Sequence, residues 1–170
     1  MKSKESLVFL GMMGSGKSSI GSIVSKKLNV DFIDIDQEIE KNLGMSILKI
    51  FENKGEEYFR EIEEVTTLKL LKRDKTVISL GGGAFLNKKI KKEILENHIS
   101  FWLDWNINTL IKRIKNSEKR PVAFNASKNE LVNLIKKRSI IYSKAMYRID
   151  CENLTKNEIT KNILKIYETL

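Results

Sequence analysis

Behind the apolar run Leu7-Val8-Phe9-Leu10 the chain reads GMMGSGKSSIG over residues 11–21. Three of its nine glycines, Gly11, Gly14 and Gly16, fall within six residues and lead into Lys17, Ser18 and Ser19. Glycines at this density leave backbone N–H groups free of Cβ clashes, so they can curl round an anion. Lys17 adds a mobile positive charge, and the Ser18 hydroxyl can reach a metal ion. The pattern is the G-x-x-x-x-G-K-[ST] phosphate loop, with an apolar strand before it and a helical pattern after it. A glycine-rich turn that merely precedes a lysine is the plain alternative. With glycine at roughly 7% of residues, a chance match is on the order of 1%. A nucleoside triphosphate is expected here.

Further along, FIDIDQEIE places Asp34 and Asp36 two apart. In an extended chain both side chains project to the same side. One carboxylate can then hold Mg²⁺ with Ser18 and the phosphates. The other, slightly further out, can accept a hydrogen bond from an alcohol about to attack the γ-phosphoryl group. The plain alternative for Asp36 is a cap on a helix beginning at Gln37. Gly81-Gly82-Gly83 follows an apolar strand; a tight turn needs one glycine, whereas three suit close approach of a ligand. Arg60, in GEEYFREIEE, has Glu63 at i+3. That pair is either a helix-surface salt bridge or a guanidinium oriented to grip an anion. Arg138 lies on the helix face near Leu134, Ile135 and Ile141, from which it can point into the same crevice. Arg120 precedes Pro121 in the polar stretch 116–127, where a lid would carry it over the phosphates. Solvated surface arginine is the alternative for each of the three.

Positioning these groups falls to short apolar runs that alternate with stretches of helical period. Strands are expected at Leu7–Leu10, Phe32-Ile33, Thr76–Leu80, Ile99–Leu103 and Arg148–Cys151. Helices are expected through Ile20, Ile23, Val24 and Leu28, then from Gln37 to Arg73 with breaks near Gly44 and Gly55. Others open after Asn87, run from Asn106 to Lys115, and carry Leu131 to Ile141. Thr155-Lys156-Asn157-Glu158 is a capping box for a last helix using Ile159, Ile163 and Ile166. Such alternation predicts an α/β fold, with parallel strands, helical crossovers and helices on both faces. Ligands in such sheets sit outside the carboxyl ends of the strands. The phosphate loop, Asp34/Asp36 and Gly81–Gly83 all fall at those ends.

The 170 residues carry 31 Lys+Arg against 22 Asp+Glu, a net charge of +9, and no linker or repeat divides them. A single domain is expected. The charge would suit nucleic acid, an anionic membrane or anionic small substrates. Scattered lysines without a basic block or stacking motif speak against nucleic acid. No run approaches a membrane span. The opening MKSKESLVFL imitates a signal peptide faintly, but its apolar run is short and leads into the phosphate loop. The one cysteine, Cys151, rules out an internal disulfide framework, fits a reducing compartment and is expected to be a buried strand residue. A cytoplasmic location is expected.

The segments GMMGSGKSSIG, FIDIDQEIE, IFENKGEEYFREIEE, VISLGGGA, KRPV and KKRSIIY, in this order along nearly the whole chain, resemble the shikimate kinase family. That family has the nucleoside-monophosphate-kinase-like P-loop fold. The resemblance implies a three-layer sandwich around a five-stranded parallel sheet in the order 2-3-1-4-5. It implies a short lid over about residues 116–127, an acceptor-binding region over about 34–62, and a monomer. The implied reaction transfers the γ-phosphoryl group of ATP to the 3-hydroxyl of shikimate, on the route to chorismate and the aromatic amino acids.

Carried over residue by residue, Gly14, Ser15, Gly16, Lys17, Ser18 and Ser19 would hold the ATP phosphates. Ser18 and Asp34 would bind Mg²⁺, and Arg113 would lie near the adenine. Asp36 would contact the shikimate hydroxyls as the base. Arg60 and Arg138 would hold the shikimate carboxylate, with Gly81, Gly82 and Gly83 alongside and Phe51 and Phe59 as walls. Arg120 would reach the transferring phosphate, joining Lys17 and Asp36 as catalytic groups. A compact ring with one carboxylate and three hydroxyls calls for paired arginines, a carboxylate acceptor and an apolar wall. A related P-loop kinase for gluconate or a nucleoside monophosphate is the alternative. It would share loop and lid without needing D-x-D, F-R-x-x-E and GGGA in this order. The segment DCENLTKNE departs from the family pattern by lacking a proline.

Overall fold

The structure is a computed structural model and describes residues 6–116 and 126–170. Arg120 and most of the expected lid therefore lie outside the described residues. In chain order the elements are β1 (Leu7–Leu10), α1 (Lys17–Leu28), β2 (Asp31–Asp34), α2 (Ile35–Leu43), α3 (Ile47–Leu71) and β3 (Thr76–Ser79). A 3₁₀ turn (Ala84–Leu86), α4 (Lys88–Asn97), β4 (Ile99–Asp104), α5 (Ile107–Lys115), α6 (Lys128–Tyr142), β5 (Tyr147–Asp150) and α7 (Lys156–Tyr167) follow. The five strands form one sheet in the order β2-β3-β1-β4-β5, every pairing parallel. This is the α/β architecture and strand order expected.

The three inner strands, β3, β1 and β4, are buried on both faces, as a parallel sheet requires, while the edge strands β2 and β5 are partly exposed. Alternate residues of β1 serve different cores. Val8 and Leu10 join the side formed with α2 to α6, where Ile39, Ile50, Ile90, Ile111 and Ile135 are buried. Leu7 and Phe9 join the other side, where Ile20 and Val24 of α1 meet Ile159 and Ile163 of α7. The result is helix, sheet, helix in three layers. β1 is the middle strand, with β3 on one side and β4 on the other. Its carboxyl end is the point at which such sheets open a crevice.

Local chemistry sets the helix ends. Ser46 caps α3 through Lys49 N–H, and Asn87 caps α4 through Lys89 and Ile90 N–H. Capping boxes open α6 (Ser127, Glu130) and α7 (Thr155, Glu158). The expected breaks occur where glycine takes positive φ: Gly44 ends α2 at φ 63°, and Gly55, at φ 83°, kinks α3. One expectation is corrected. The chain is not extended through Asp36, because β2 ends at Asp34 and α2 begins at Ile35. The physical reason is that Asp34, not Asp36, supplies the helix cap. Its Oδ1 accepts from Gln37 N–H at 3.2 Å, while Ile35 turns fully into the core. The two carboxylates thus belong to a strand end and a first helical turn, and the same-side argument from an extended chain does not apply.

Among the described residues no helix is long and apolar enough to cross a membrane. Cys151, just past β5, is buried and donates weakly from Sγ to the Ile149 carbonyl. Burial, reinforced by Asp150 and Asp104, pushes its thiol up to about 12, so it stays an unreactive thiol.

Candidate active site

A cavity of about 510 Å³ opens outside the carboxyl ends of β1, β2 and β3. On one flank is the phosphate loop. Gly11, Gly14 and Gly16 sit at φ 141°, 81° and 88°, a region costly for any side chain, and this turns the loop round a hollow at the start of α1. Lys17 opens α1, and its Nζ donates to the carbonyls of Gly11 (3.0 Å) and Met12 (2.9 Å). Ser15 is buried within the loop. Trp105, just beyond β4, donates from Nε1 to the Ser15 carbonyl at 2.9 Å. The Arg113 guanidinium lies over the Trp105 ring, 3.7 Å from its centroid, and donates to the Gly14 carbonyl at 3.3 Å.

At the floor, Ser18 Oγ donates to Asp34 Oδ2 at 2.5 Å and lies 3.5 Å from Ser79 Oγ. Ser79 arrives there because β2 and β3 pair with Asp34 opposite Ser79. These are hard oxygen donors, the class that suits Mg²⁺ rather than softer metals. Among the described residues no group of three or more His, Cys, Asp or Glu could hold a metal alone. A cation here would need the oxygens of a bound phosphate to complete its shell, which is how Mg²⁺ is ordinarily held in such sites.

The opposite flank carries charge at close quarters. Arg60 Nη1 donates to Glu63 Oε2 at 2.7 Å, and its Nε and Nη2 donate to Glu56 Oε1 at 3.3 and 3.1 Å. Glu63 is 2% exposed, and its Oε1 has no hydrogen-bond partner among the described residues. Burial raises the Glu63 carboxyl, with Arg60 and Arg138 pulling the other way. Burial also works against the Arg60 charge, but Glu63 and then Glu56 more than offset it, so its proton is held more firmly than usual. Arg138 is buried too; its Nη1 donates to the Gly82 carbonyl at 3.3 Å, and its Nε is unpartnered among the described residues. Tyr142, one turn on, donates its hydroxyl to the same carbonyl.

The triple-glycine turn lets these groups meet. A Cβ on Gly81 would stand 2.6 Å from Glu63 Oε1 and 2.7 Å from Asp36 Oδ1. On Gly83 it would stand 2.8 Å from Arg60 Cζ. Asp36 faces this turn from α2. Burial first, then the carboxylates of Asp34 and Glu63, push it up to about 6, with Lys17 working in the opposite direction. Phe51 and Phe59, 4.8 Å apart at an angle of 42°, close the cavity with an apolar wall.

Of the residues expected from sequence, Gly14, Gly16, Lys17, Ser18, Ser19, Asp34, Asp36, Phe51, Phe59, Arg60, Gly82, Gly83 and Arg138 line this cavity. Gly81 backs it through its contacts with Asp36 and Glu63, while Ser15 is buried within the loop and Arg113 lies on its outer side. Sequence reasoning missed Met13, Gln37, Glu40, Ile47, Ser79 and Leu80 in the lining, and Trp105 and Tyr142 behind it. It named Glu63 only as a partner for Arg60, not as a wall. Ser79 and Leu80 read as ordinary strand residues, so no local signal marked them. Tyr142 could have been found as the i+4 neighbour of Arg138 on one helix face.

A phosphate loop at the end of the central strand, beside a second hollow lined by cations and carboxylates, defines a P-loop kinase. The family model described as "Shikimate kinase" matches residues 13–168. The shikimate kinase of Thermodesulfovibrio yellowstonii is 38% identical, the match covering 98% of this chain and 96% of that protein. That of Bacillus subtilis is 41% identical, over 95% of this chain and 88% of the relative. Among solved structures, shikimate kinase from Acinetobacter baumannii in complex with shikimate superposes with a TM-score of 0.92 at 27% identity, covering 99% and 95% of the two chains. A gluconokinase from Sinorhizobium meliloti, at 15% identity and a TM-score of 0.55, shares the fold alone. The chain belongs to the shikimate kinase family.

Proposed function

We propose that the chain is an ATP-dependent shikimate kinase that works as one domain, transferring the γ-phosphoryl group of ATP to the 3-hydroxyl of shikimate. The observation that carries this reading is the arrangement of Arg60 and Arg138 with Asp36 around the Gly81–Gly83 turn. Two guanidiniums and an acidic acceptor, walled by Phe51 and Phe59, match a small hydroxylated ring that bears a carboxylate.

The loop N–H groups from Gly14 to Ser19 and the Lys17 ammonium bind the phosphates and offset charge as the terminal bond breaks. Lys17 exchanges its carbonyl partners on Gly11 and Met12 for phosphate oxygens. Arg60 and Arg138 grip the carboxylate and so fix the ring. Asp36 accepts the proton of the 3-hydroxyl as its oxygen bonds to the γ-phosphorus and the bond to the β–γ bridging oxygen breaks, leaving ADP. Ser18 and Asp34 would hold Mg²⁺, which would supply charge neutralisation to the bound phosphates. Arg120 is assigned to the transferring phosphate from a lid over about 116–127, with the acceptor region over about 34–62. We further assign a monomer in the cytoplasm that takes no nucleic acid; a single cysteine, with no disulfide framework, fits a reducing compartment.

The test is ADP release from Mg-ATP with a panel of acceptors: shikimate, quinate, gluconate and AMP. Shikimate should support turnover at least about tenfold better, in kcat/KM, than any other, since a misplaced carboxylate or hydroxyl leaves buried charges unpaired. Equal or better turnover with gluconate or AMP would replace this reading with the related-kinase alternative.

A further inference from the structure

Trp105 belongs to neither the phosphate loop nor the acceptor cavity, yet it touches the machinery twice. Its indole N–H donates to the Ser15 carbonyl at 2.9 Å, inside the loop. Its ring carries the Arg113 guanidinium at 3.7 Å, a full stacking distance. Arg113 in turn donates to the Gly14 carbonyl, and a Cβ on Gly14 would stand 3.3 Å from Arg113 Cβ. The loop, the indole and the guanidinium therefore form one interlocked unit on the side of the loop away from the acceptor cavity. With the γ-phosphate directed at that cavity, the rest of the nucleotide must leave the loop on this other side. Arg113 is an exposed side chain there, with one face on the indole.

We propose that Trp105 is a positioning residue for the nucleotide: it holds the Arg113 guanidinium flat, as a platform for the purine base, and pins the phosphate loop through Ser15. A planar cation stacks on aromatic faces on either side. An exposed arginine left alone would have to give up its rotamer freedom when the base arrives, and the indole removes that freedom beforehand. The indole N–H adds register, since base platform and phosphate hollow then share one rigid side chain. The start of α5 behind the ring is braced as well: Glu152 accepts from Asn106 N–H at 3.1 Å and from the Thr109 hydroxyl at 2.8 Å.

The inference rests on the reading of the loop as the ATP site, and its test separates the two. Calorimetric titration of the full chain with ADP, and steady-state KM values for ATP and shikimate, are measured for the wild type, Trp105→Phe and Trp105→Leu. Trp105→Leu should weaken ADP binding and raise KM for ATP about 5- to 20-fold, with KM for shikimate within about twofold. Trp105→Phe keeps a stacking face but loses the N–H, and should fall between. Wild-type tryptophan emission should change on adding ADP, and Trp105→Phe, which retains Trp102, should lose most of that change. ADP affinity within twofold of wild type in Trp105→Phe, together with an unaltered emission response, would overturn the proposal. So would equal losses for ATP and shikimate, which mark a merely structural role. Failure of the ATP-site reading looks different, because the wild type itself would not bind ADP.

Discussion

Asp34 and Asp36 are two residues apart and do different work because one ends a strand and the other begins a helix. Asp34 is spent on Ser18 and on the cap of α2, whereas Asp36 faces Glu63 across Gly81 with its carboxyl pushed up to about 6. A raised carboxyl binds its proton more tightly folded than unfolded. Its contribution to stability is thus fully present below the ordinary value of 3.8 and is lost as pH rises through about 6. Asp36→Asn, uncharged throughout, should raise the Tm of the ligand-free, metal-free protein by about 3 °C at pH 8, with the advantage vanishing below about pH 4. Turnover should fall by about 10²-fold or more. A scan of Tm against pH checks the first claim; an Asn variant no more stable at pH 8 than the wild type would contradict it. In the same assays Asp34→Asn should raise the Mg²⁺ concentration needed for half-maximal turnover, and Asp36→Asn should leave it alone.

At the scale of elements, the turn between β3 and the 3₁₀ segment has the sharpest consequence. Gly83→Ala would place a methyl group 2.8 Å from Arg60 Cζ. The guanidinium end is flexible and 31% exposed, so it moves rather than the backbone. Gly83→Ala should therefore fold, yet raise KM for shikimate at least about tenfold with KM for ATP unchanged, because a 1 Å misplacement is enough to spoil a bidentate grip. An unchanged KM for shikimate would place Arg60 outside acceptor binding. The elements themselves were legible where their signals are local. Gly44 and Gly55 broke the helices where expected, and Thr155 with Glu158 formed its capping box. The phosphate loop was legible for the same reason. What sequence could not supply was register across distant elements. Ser79 reaches Ser18 only because it pairs opposite Asp34, and Trp105 reaches Ser15 across 90 positions. The start of α2 was misplaced because a short aspartate-rich stretch after a strand suits an extended run and a capped helix equally well, and burial of Ile35 decided between them.

On the scale of the whole molecule, a net charge of +9 favours anionic ligands of every kind, and geometry selects among them. Arg60 and Arg138, two of the cations that line the cavity, are already engaged with Glu63, Glu56 and the Gly82 carbonyl. They do not offer a continuous track for a phosphate backbone. Anisotropy titrations with duplex DNA at physiological salt should accordingly show no complex tighter than about 100 µM. A micromolar complex with a steep salt dependence would restore nucleic acid as a partner. The packing of α7 on α1 has a further consequence, in the order of synthesis. β1, the phosphate loop and α1 are translated first, but Ile20 and Val24 of α1 share their core with Ile159 and Ile163 of α7, some 140 residues later. β4, which flanks β1 on one side, also comes well after the loop it helps to hold. The most recognisable segment of the nascent chain is therefore made long before its scaffold can close, and until then the apolar face of α1 lacks the cover that α7 supplies.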